Sequence, residues 1–367
     1  MNSVFDEVFP NVPALLQRLL SPSVAPETLA FETALTDIFS VKEAIAVSSG
    51  TAAIHCALAA LGIGPGDEVL VPALSVIMSV VPVLYQQARP VFADSEPGRV
   101  DFDYEDLERK ISLKTKAIIP VYLWGCSYHM DRLIHFADQY RLAVIEDACQ
   151  AHGSQWQGAY LGAWGDIGCF SMRDGKLLST GEGGFLLTND HSLAEHCRAF
   201  RSHWANTHDL EQSYQQIGQN YRLSEIQAWL GCKQVSDLDA ILAQRYWQST
   251  YLLTGLVGVP GLEPYRYAQQ EKSNLFSPVF LLGEGYAEKG IARMLAERGV
   301  PNSVGSFGLK PAHQWPVFSA CTPRTLTTPH AQQFLSRTLA VSLLPQYTEE
   351  DLDRIIMTIK TTIAEGT

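Results

Sequence analysis

Short apolar runs alternate along this chain with longer stretches in which apolar residues return every three or four positions. The runs predict strands over Glu68–Val71, Arg89–Ala93, Ala117–Val121 and Ala143–Glu146. The periodic stretches predict helices over Ser75–Gln87, Tyr104–Ile111 and Met130–Tyr140. An earlier apolar run ends at Ser48 and leads into an Ala/Leu-rich helix that Gly62 and Gly64 stop. Such strand–helix alternation implies an α/β layer with a mostly parallel sheet, and ligands of such sheets bind beyond the carboxyl ends of the strands.

Two helical patterns precede this layer, over Val12–Leu20 and Pro26–Phe39, the second with Leu29, Leu35, Ile38 and Phe39 along one side. A swapped arm and a lid over the core both fit this segment. Downstream, Ser192–Ser202 reads as a surface helix and Ile217 to Arg222 as a loop. Ser224 then N-caps a helix with Ile226, Leu230 and Cys232 to one side, and another helix follows over Leu238–Leu253. The Gly255–Gly261 stretch marks a boundary. Beyond it come a strand (Ser277–Leu282), a helix (Tyr286–Arg298), a proline-punctuated loop (Pro301 to Pro329) and a helix (His330–Leu339). A last helix is capped by Thr348-Glu-Glu-Asp351. The expected division is therefore an arm and large domain over 1–254 and a small α+β domain over 255–367.

Chemistry concentrates at three strand or helix ends. In Asp166 to Asp190 a lone lysine, Lys176, stands between the apolar run Ile167 to Met172 and the cluster Gly181-Glu182-Gly183-Gly184. Held out of a sheet on a rigid loop, it can form a Schiff base with an aldehyde if burial or a nearby cation lowers its pKa; a solvated turn lysine is the alternative. Ser48-Ser49-Gly50-Thr51 opens a helix, where free N–H groups and small side chains make either a phosphate cradle or a plain N-cap. Asp147 ends a buried strand, so it must be capped, solvated or paired with a cation such as a protonated ring nitrogen. Nearby His152 suits a ligand or base as well as a hydrogen-bonded structural histidine.

Composition narrows the classes. The chain has 367 residues, 46% apolar and 18% charged, with a net charge of −12 from 27 basic and 39 acidic residues. With no Lys/Arg run longer than two, a nucleic-acid footprint is not expected. No stretch has the length and apolarity of a membrane span, and the acidic start MNSVFDEVFPNV does not suit a signal peptide, so a cytoplasmic location is expected. Seven scattered cysteines without a C-x-x-C pair argue against a disulfide framework or a zinc site. No G-x-G-x-x-G follows a strand, which disfavours a dehydrogenase.

Taken in order, Ser-Gly-Thr at a helix start, Glu-Asp-Ala-x-Gln at a strand end, Ser-x-x-x-x-Lys, Gly-Glu-Gly-Gly, Thr-Asn-Asp, Gly-x-Asn-x-Arg and a late Leu-x-Pro form a distinctive set. The chain resembles the DegT/StrS-type aminotransferases over about residues 26 to 355. That resemblance implies pyridoxal 5'-phosphate (PLP) fold type I: a mostly parallel seven-stranded sheet flanked by helices, with a small α+β domain. It implies that Lys176 holds the PLP aldehyde and then shuttles a proton, that Asp147 binds the pyridine nitrogen, and that Gln150 sits near the phenolic oxygen. Gly50, Thr51 and Ser171 would hold the phosphate. Asn220 would reach the phosphate in a neighbouring subunit, making the working unit at least a homodimer. Glu182 and Arg222 would contact substrate.

The implied reaction converts a keto-sugar, nucleotide-linked, to an amino sugar with glutamate as donor, PLP cycling through its pyridoxamine form. A keto-cyclitol or other small ketone, with glutamine or glutamate, is the alternative acceptor, and a non-catalytic PLP-binding regulator is a third expectation. Some relatives carry histidine at the lysine position and dehydrate; Lys176 favours transamination. Two departures stand out. Val76 occupies the place of the aromatic that stacks on the cofactor ring, and Arg173-Asp174 puts charge before the lysine where relatives often have His, Asn or Pro.

Overall fold

A computed structural model describes residues 26–205, 214–286 and 290–366. The expected helix over Val12–Leu20 lies outside the described residues. Among them no helix is long and apolar enough to cross a membrane.

The large layer contains helix α1 (Pro26–Phe39), strand β1 (Glu43–Val47), α2 (Gly50–Ala60), β2 (Glu68–Pro72), α3 (Ile77–Tyr85), β3 (Arg89–Ala93), α4 (Tyr104–Lys110), β4 (Thr115–Ile118), α5 (Met130–Tyr140) and β5 (Ala143–Asp147). It continues through the short strands β6 (Gln155–Trp156) and β7 (Ala159–Tyr160), then β8 (Ile167–Ser171), β9 (Gly184–Thr188), α6 (His191–Arg201), α7 (Glu225–Ser236) and α8 (Leu238–Gly255). The main sheet has seven strands in the order β1-β9-β8-β5-β4-β2-β3. Its inner strands run parallel, while β9 is antiparallel to both β8 and β1. Strands β2, β8 and β9 are buried along their whole length, as expected for a sheet covered on both faces. Ala53, Val80 and Cys197 of α2, α3 and α6 pack on one face; Phe31, Leu107 and Leu133 of α1, α4 and α5 pack on the other.

The remaining chain forms β10 (Leu262–Pro264), β11 (Glu271–Lys272), β12 (Val279–Leu282), α9 (Ile291–Glu297), α10 (Pro329–Arg337), β13 (Thr338–Ala340) and α11 (Glu349–Glu365). The order β10-β12-β13 makes a second, antiparallel sheet over a separate core with Leu252, Ile291, Leu352 and Ile359. Strand β11 instead pairs with β6, so residues beyond the Gly255–Gly261 stretch also close over the large layer.

Several expected details differ, each for a tertiary reason. The expected helix His330–Leu339 stops at Arg337, because residues 338–340 pair with β12. In α1 the buried stripe is Phe31, Leu35 and Phe39, whereas Leu29 is exposed, because α1 lies across α7 and β1 with its Phe31 side inward. In α7 the capping box of Ser224 and Gln227 forms, but the buried residues are Ala228, Gly231 and Val235, and Ile226 is exposed. Gly231 is what lets α1 approach: a Cβ there would stand 2.7 Å from the Phe31 ring.

Candidate active site

The topology brings several chain ends to one edge of the sheet. Strands β2, β5 and β8 run the same way, so Pro72, Asp147 and Ser171 end together. The antiparallel registers set Gly184 opposite both Ser171 and Val47. From Val47 the chain passes directly into α2, so the N-terminus of that helix opens onto the same edge. Gly50, Thr51, Val76, Asp147, Gln150, Ser171, Lys176 and Glu182, all singled out from the sequence, line one cleft of about 470 Å³ there. A wider, open groove of about 890 Å³ between α8 and α11 lies away from these groups.

The phosphate-cradle expectation meets a geometric test at Gly50. Ser49 caps α2 by accepting from the Ala52 amide at 3.0 Å. A Cβ at Gly50 would sit 2.7 Å from both Cys149 Sγ and Ser171 Cβ, so only glycine lets the helix start come this close to β8. The outward N–H groups and the positive end of the helix dipole then face the cleft, with the Thr51 and Ser171 hydroxyls beside them.

The lysine loop is a closed structure. Met172 N donates to Gly183 O at 2.7 Å, Asp174 N to Gly181 O at 2.8 Å and Thr180 N to Met172 O at 3.0 Å. Gly183 has φ +154° and would drive a Cβ to 2.7 Å from Thr180 Oγ1, so its backbone shape requires glycine. The Lys176 Nζ lies 5.2 Å from the Phe276 ring centroid. Burial depresses the Lys176 pKa and the Arg173 charge adds to that, while Cys149 and Asp147 oppose it. A larger share of neutral amine results, which a nucleophilic lysine needs.

Asp147 is almost fully buried and accepts from the Cys149 amide at 3.1 Å. Gln150 is oriented by Trp124, whose amide donates to Gln150 Oε1 at 2.7 Å; this leaves the Gln150 amide nitrogen as a donor. Trp124 also reaches across to the C-terminal part, its Nε1 donating to Ser303 Oγ at 2.7 Å. Val76 stands at the start of α3 and offers only aliphatic surface. His152 is fully buried against Phe170 and Phe185, and burial followed by the Lys176 charge lowers its pKa to about 3, so its ring is neutral. It packs in the core and does not line the cleft, and neither ring nitrogen has a geometrically satisfactory hydrogen-bond partner among the described residues.

Asn220 and Arg222 are exposed and do not line this cleft in a single chain. Their loop is nonetheless pinned beside α2: Ser48 N donates to Tyr221 O at 2.8 Å, and Tyr221 OH meets His55 Nδ1 at 3.0 Å. Arg201 at the end of α6 is already engaged by Glu32 and Ala46 O, each at 2.6 Å.

Two positioning residues were not anticipated. Glu146, next to Asp147, is completely buried and organises the turn before β8. Arg245 on α8 is buried without a carboxylate partner among the described residues, donates to Phe276 O at 2.7 Å and Leu343 O at 3.0 Å, and has its pKa lowered to about 10 by burial. It ties together two segments that line the cleft. An arginine on the apolar side of α8, between Leu242 and Leu252, was the available signal. Elsewhere Glu96, Asp101 and His129 bring possible ligand atoms within 4.8 Å of one another. Their charges are matched internally: His129 Nδ1 meets Asp101 at 2.8 Å, and Arg99 and Arg132 approach Glu96 at 3.7 and 4.0 Å.

A lysine loop between β8 and β9, an aspartate ending β5 and a helix N-terminus beside them define a PLP fold type I protein of the aminotransferase kind. The X-ray structure of DesV from S. venezuelae has the same fold, with a TM-score of 0.85 and 29% identity over 97% of this chain and 95% of that one. Residues 7–360 match the DegT/DnrJ/EryC1/StrS aminotransferase family, and the chain belongs to it. Aminotransferases of this family are PLP-dependent. Among relatives, the chain is 30% identical over 366 residues to the dTDP-3-amino-3,4,6-trideoxy-alpha-D-glucose transaminase of Streptomyces venezuelae, covering 98% of this chain and 94% of the relative. It is 42% identical over 223 residues to the GDP-perosamine synthase of Caulobacter vibrioides; that match covers 61% of this chain and spans only 60% of the relative's length.

Proposed function

We propose that this protein is a PLP-dependent aminotransferase that converts a nucleotide-linked keto-sugar to an amino sugar with glutamate as donor. The observation that carries this is the meeting of a desolvated lysine, Lys176, and a buried carboxylate, Asp147, in a cleft that the α2 N-terminus enters through Gly50. These groups fit PLP: an anion cradle, an acceptor for a ring N–H and an amine for the aldehyde. When bound, PLP supplies an electron sink for the pair released at the substrate carbon.

The chain's own groups do the rest. Gly50, Thr51 and Ser171 would anchor the phosphate, Asp147 would hold the proton on the ring nitrogen, and Gln150 would donate toward the phenolic oxygen. Val76 would offer aliphatic surface to the ring. Once its amine is free, Lys176 Nζ takes a proton from the donor carbon and returns one to the acceptor carbon. Glu182 contacts substrate at the cleft; Arg222, outside the cleft of its own chain, reaches substrate in the site of a partner subunit. Asn220 serves the phosphate site of a partner subunit in a homodimer, a role that its exposed position supports. The division into 1–254 and 255–367 and the cytoplasmic location belong to the same proposal.

Transfer to a keto-cyclitol or another small ketone is the second proposal. It is favoured by Val76 and by a cleft lined, among the described residues, by only two cationic side chains, Arg173 and Lys176.

An absorbance spectrum of purified protein with PLP tests the chemistry. The expected result is a visible band that L-glutamate bleaches and that borohydride locks onto the Lys176 peptide, with no locked product in Lys176→Ala. Protein that takes up no PLP would end the proposal. Thermal protection by nucleotide diphosphates is expected for the sugar acceptor and not for the cyclitol.

A further inference from the structure

Among the described residues, Lys176 and Arg173 are the cations that line the cleft. Lys176 has an assigned task in the proposed chemistry, but Arg173 has none. Its side chain is exposed at the mouth of the cleft and forms no ion pair among the described residues. The adjacent Asp174 and the rim residue Glu182 both leave it unpaired.

The Arg173 backbone is fixed on both sides. Its amide donates to Ser171 Oγ at 3.3 Å and its carbonyl accepts from Lys176 N at 3.1 Å. The guanidinium therefore springs from the same short turn as the reactive amine, near enough that its charge disfavours the Lys176 ammonium. A free guanidinium is a planar fork that matches a carboxylate through two parallel hydrogen bonds.

We propose that Arg173 recognises the side-chain carboxylate of the amino donor, so that the site prefers the dicarboxylic glutamate to its amide, glutamine. This inference rests on the aminotransferase proposal above. The geometry favours the donor over a nucleotide diphosphate, because Arg173 and Lys176 share one hydrogen-bonded turn and enter the cleft from neighbouring points, close to where the reacting carbon must lie. A diphosphate is separated from that carbon by the sugar ring. It favours the side-chain carboxylate over the α-carboxylate because Arg173 is exposed where Lys176 is half-buried, which suits the end of the donor that extends toward solvent.

Single-turnover bleaching of the visible PLP band, in wild type, Arg173→Gln and Arg173→Lys, tests this. The glutamate-to-glutamine preference should fall about tenfold in Arg173→Gln and less in Arg173→Lys, the size expected when one charge-assisted pair is lost. Calorimetry with glutarate, an unreactive dicarboxylate, should show binding to the wild-type holoenzyme and about tenfold weaker binding to Arg173→Gln. Retention of the band in both variants shows that the site is assembled. Equal losses for glutamate and glutamine overturn the proposal, as does an unchanged preference or an effect confined to a nucleotide diphosphate acceptor. A wild-type protein that forms no band overturns the aminotransferase proposal itself. A normal wild type with an unaltered variant overturns only the role of Arg173.

Discussion

Two acidic side chains, adjacent at the end of β5, serve opposite faces of the sheet. Glu146 is fully buried and accepts from the Tyr122 hydroxyl and from the amides of Gly162 at 2.7 Å, Trp164 at 2.8 Å and Gly165 at 2.7 Å. Burial raises its pKa and these donors work against that rise. Asp147 is almost as buried, yet the hydrogen bond found for its carboxylate comes from the Cys149 amide at 3.1 Å, and the carboxylate lines the cleft. Side chains alternate across a strand, so one step along the chain moves an acid from a saturated pocket to an open site. A buried carboxylate whose acceptor capacity is filled by the fold is structural, and one left with capacity to spare is available for a ligand.

Substitutions at these two positions should separate the two roles. Asp147→Asn keeps the shape and removes the charge, so the glutamate half-reaction should fall by about 10²–10³-fold, equivalent to roughly 3–4 kcal/mol, with little change in thermal midpoint. Glu146→Ala should do the reverse. It strands four donors, two of them in the buried residues Tyr122 and Gly162, and should lower unfolding stability by about 3–5 kcal/mol in urea titration, with activity following the folded fraction. If the two variants fail alike in both assays, the distinction drawn from hydrogen-bond saturation is wrong.

Gly50→Ala probes the cleft side more gently. The added methyl must displace Cys149 Sγ or Ser171 Cβ from 2.7 Å, so stability should fall by about 1–3 kcal/mol. PLP affinity, followed by fluorescence titration, should fall as well.

The smallest effect concerns acid. His152 has a folded-state pKa near 3 against an ordinary value of 6.5, so between those values the unfolded chain binds a proton that the folded chain does not. Its contribution is neutral above about pH 6.5 and increasingly destabilising as pH falls toward 3. Unfolding measured across this range should lose about one proton of pH dependence in His152→Gln.

Much of the cleft was legible because its signals are local. Lys176 is bracketed by apolar runs and glycines, Gly50 opens a helix straight after a strand, and Asp147 ends a strand that others flank. Strand alternation could have separated Glu146 from Asp147, but nothing in the sequence shows that Gly162, Trp164 and Gly165 fold back to meet it. Helix faces were less legible. Leu29 and Ile226 fit apolar stripes as well as Phe31 and Gly231 do, and only the approach of α1 to α7 decides which side is buried. Likewise, Leu339 is drawn from the expected helix into a strand by β12, a partner far away in the chain.

By itself the sequence determined the α/β alternation, the family and the residues available for the chemistry, because period, turn residues and motif spacing act over a few positions. The tertiary structure decided which of the polar groups remain free. Arg201 is engaged by Glu32, Glu146 is saturated by a turn and Arg245 is held by two loop carbonyls, whereas Asp147, Lys176 and Arg173 face the cleft. The physical reason is that the partners of a buried polar group come from distant segments, and its surroundings exist only once those segments have packed together.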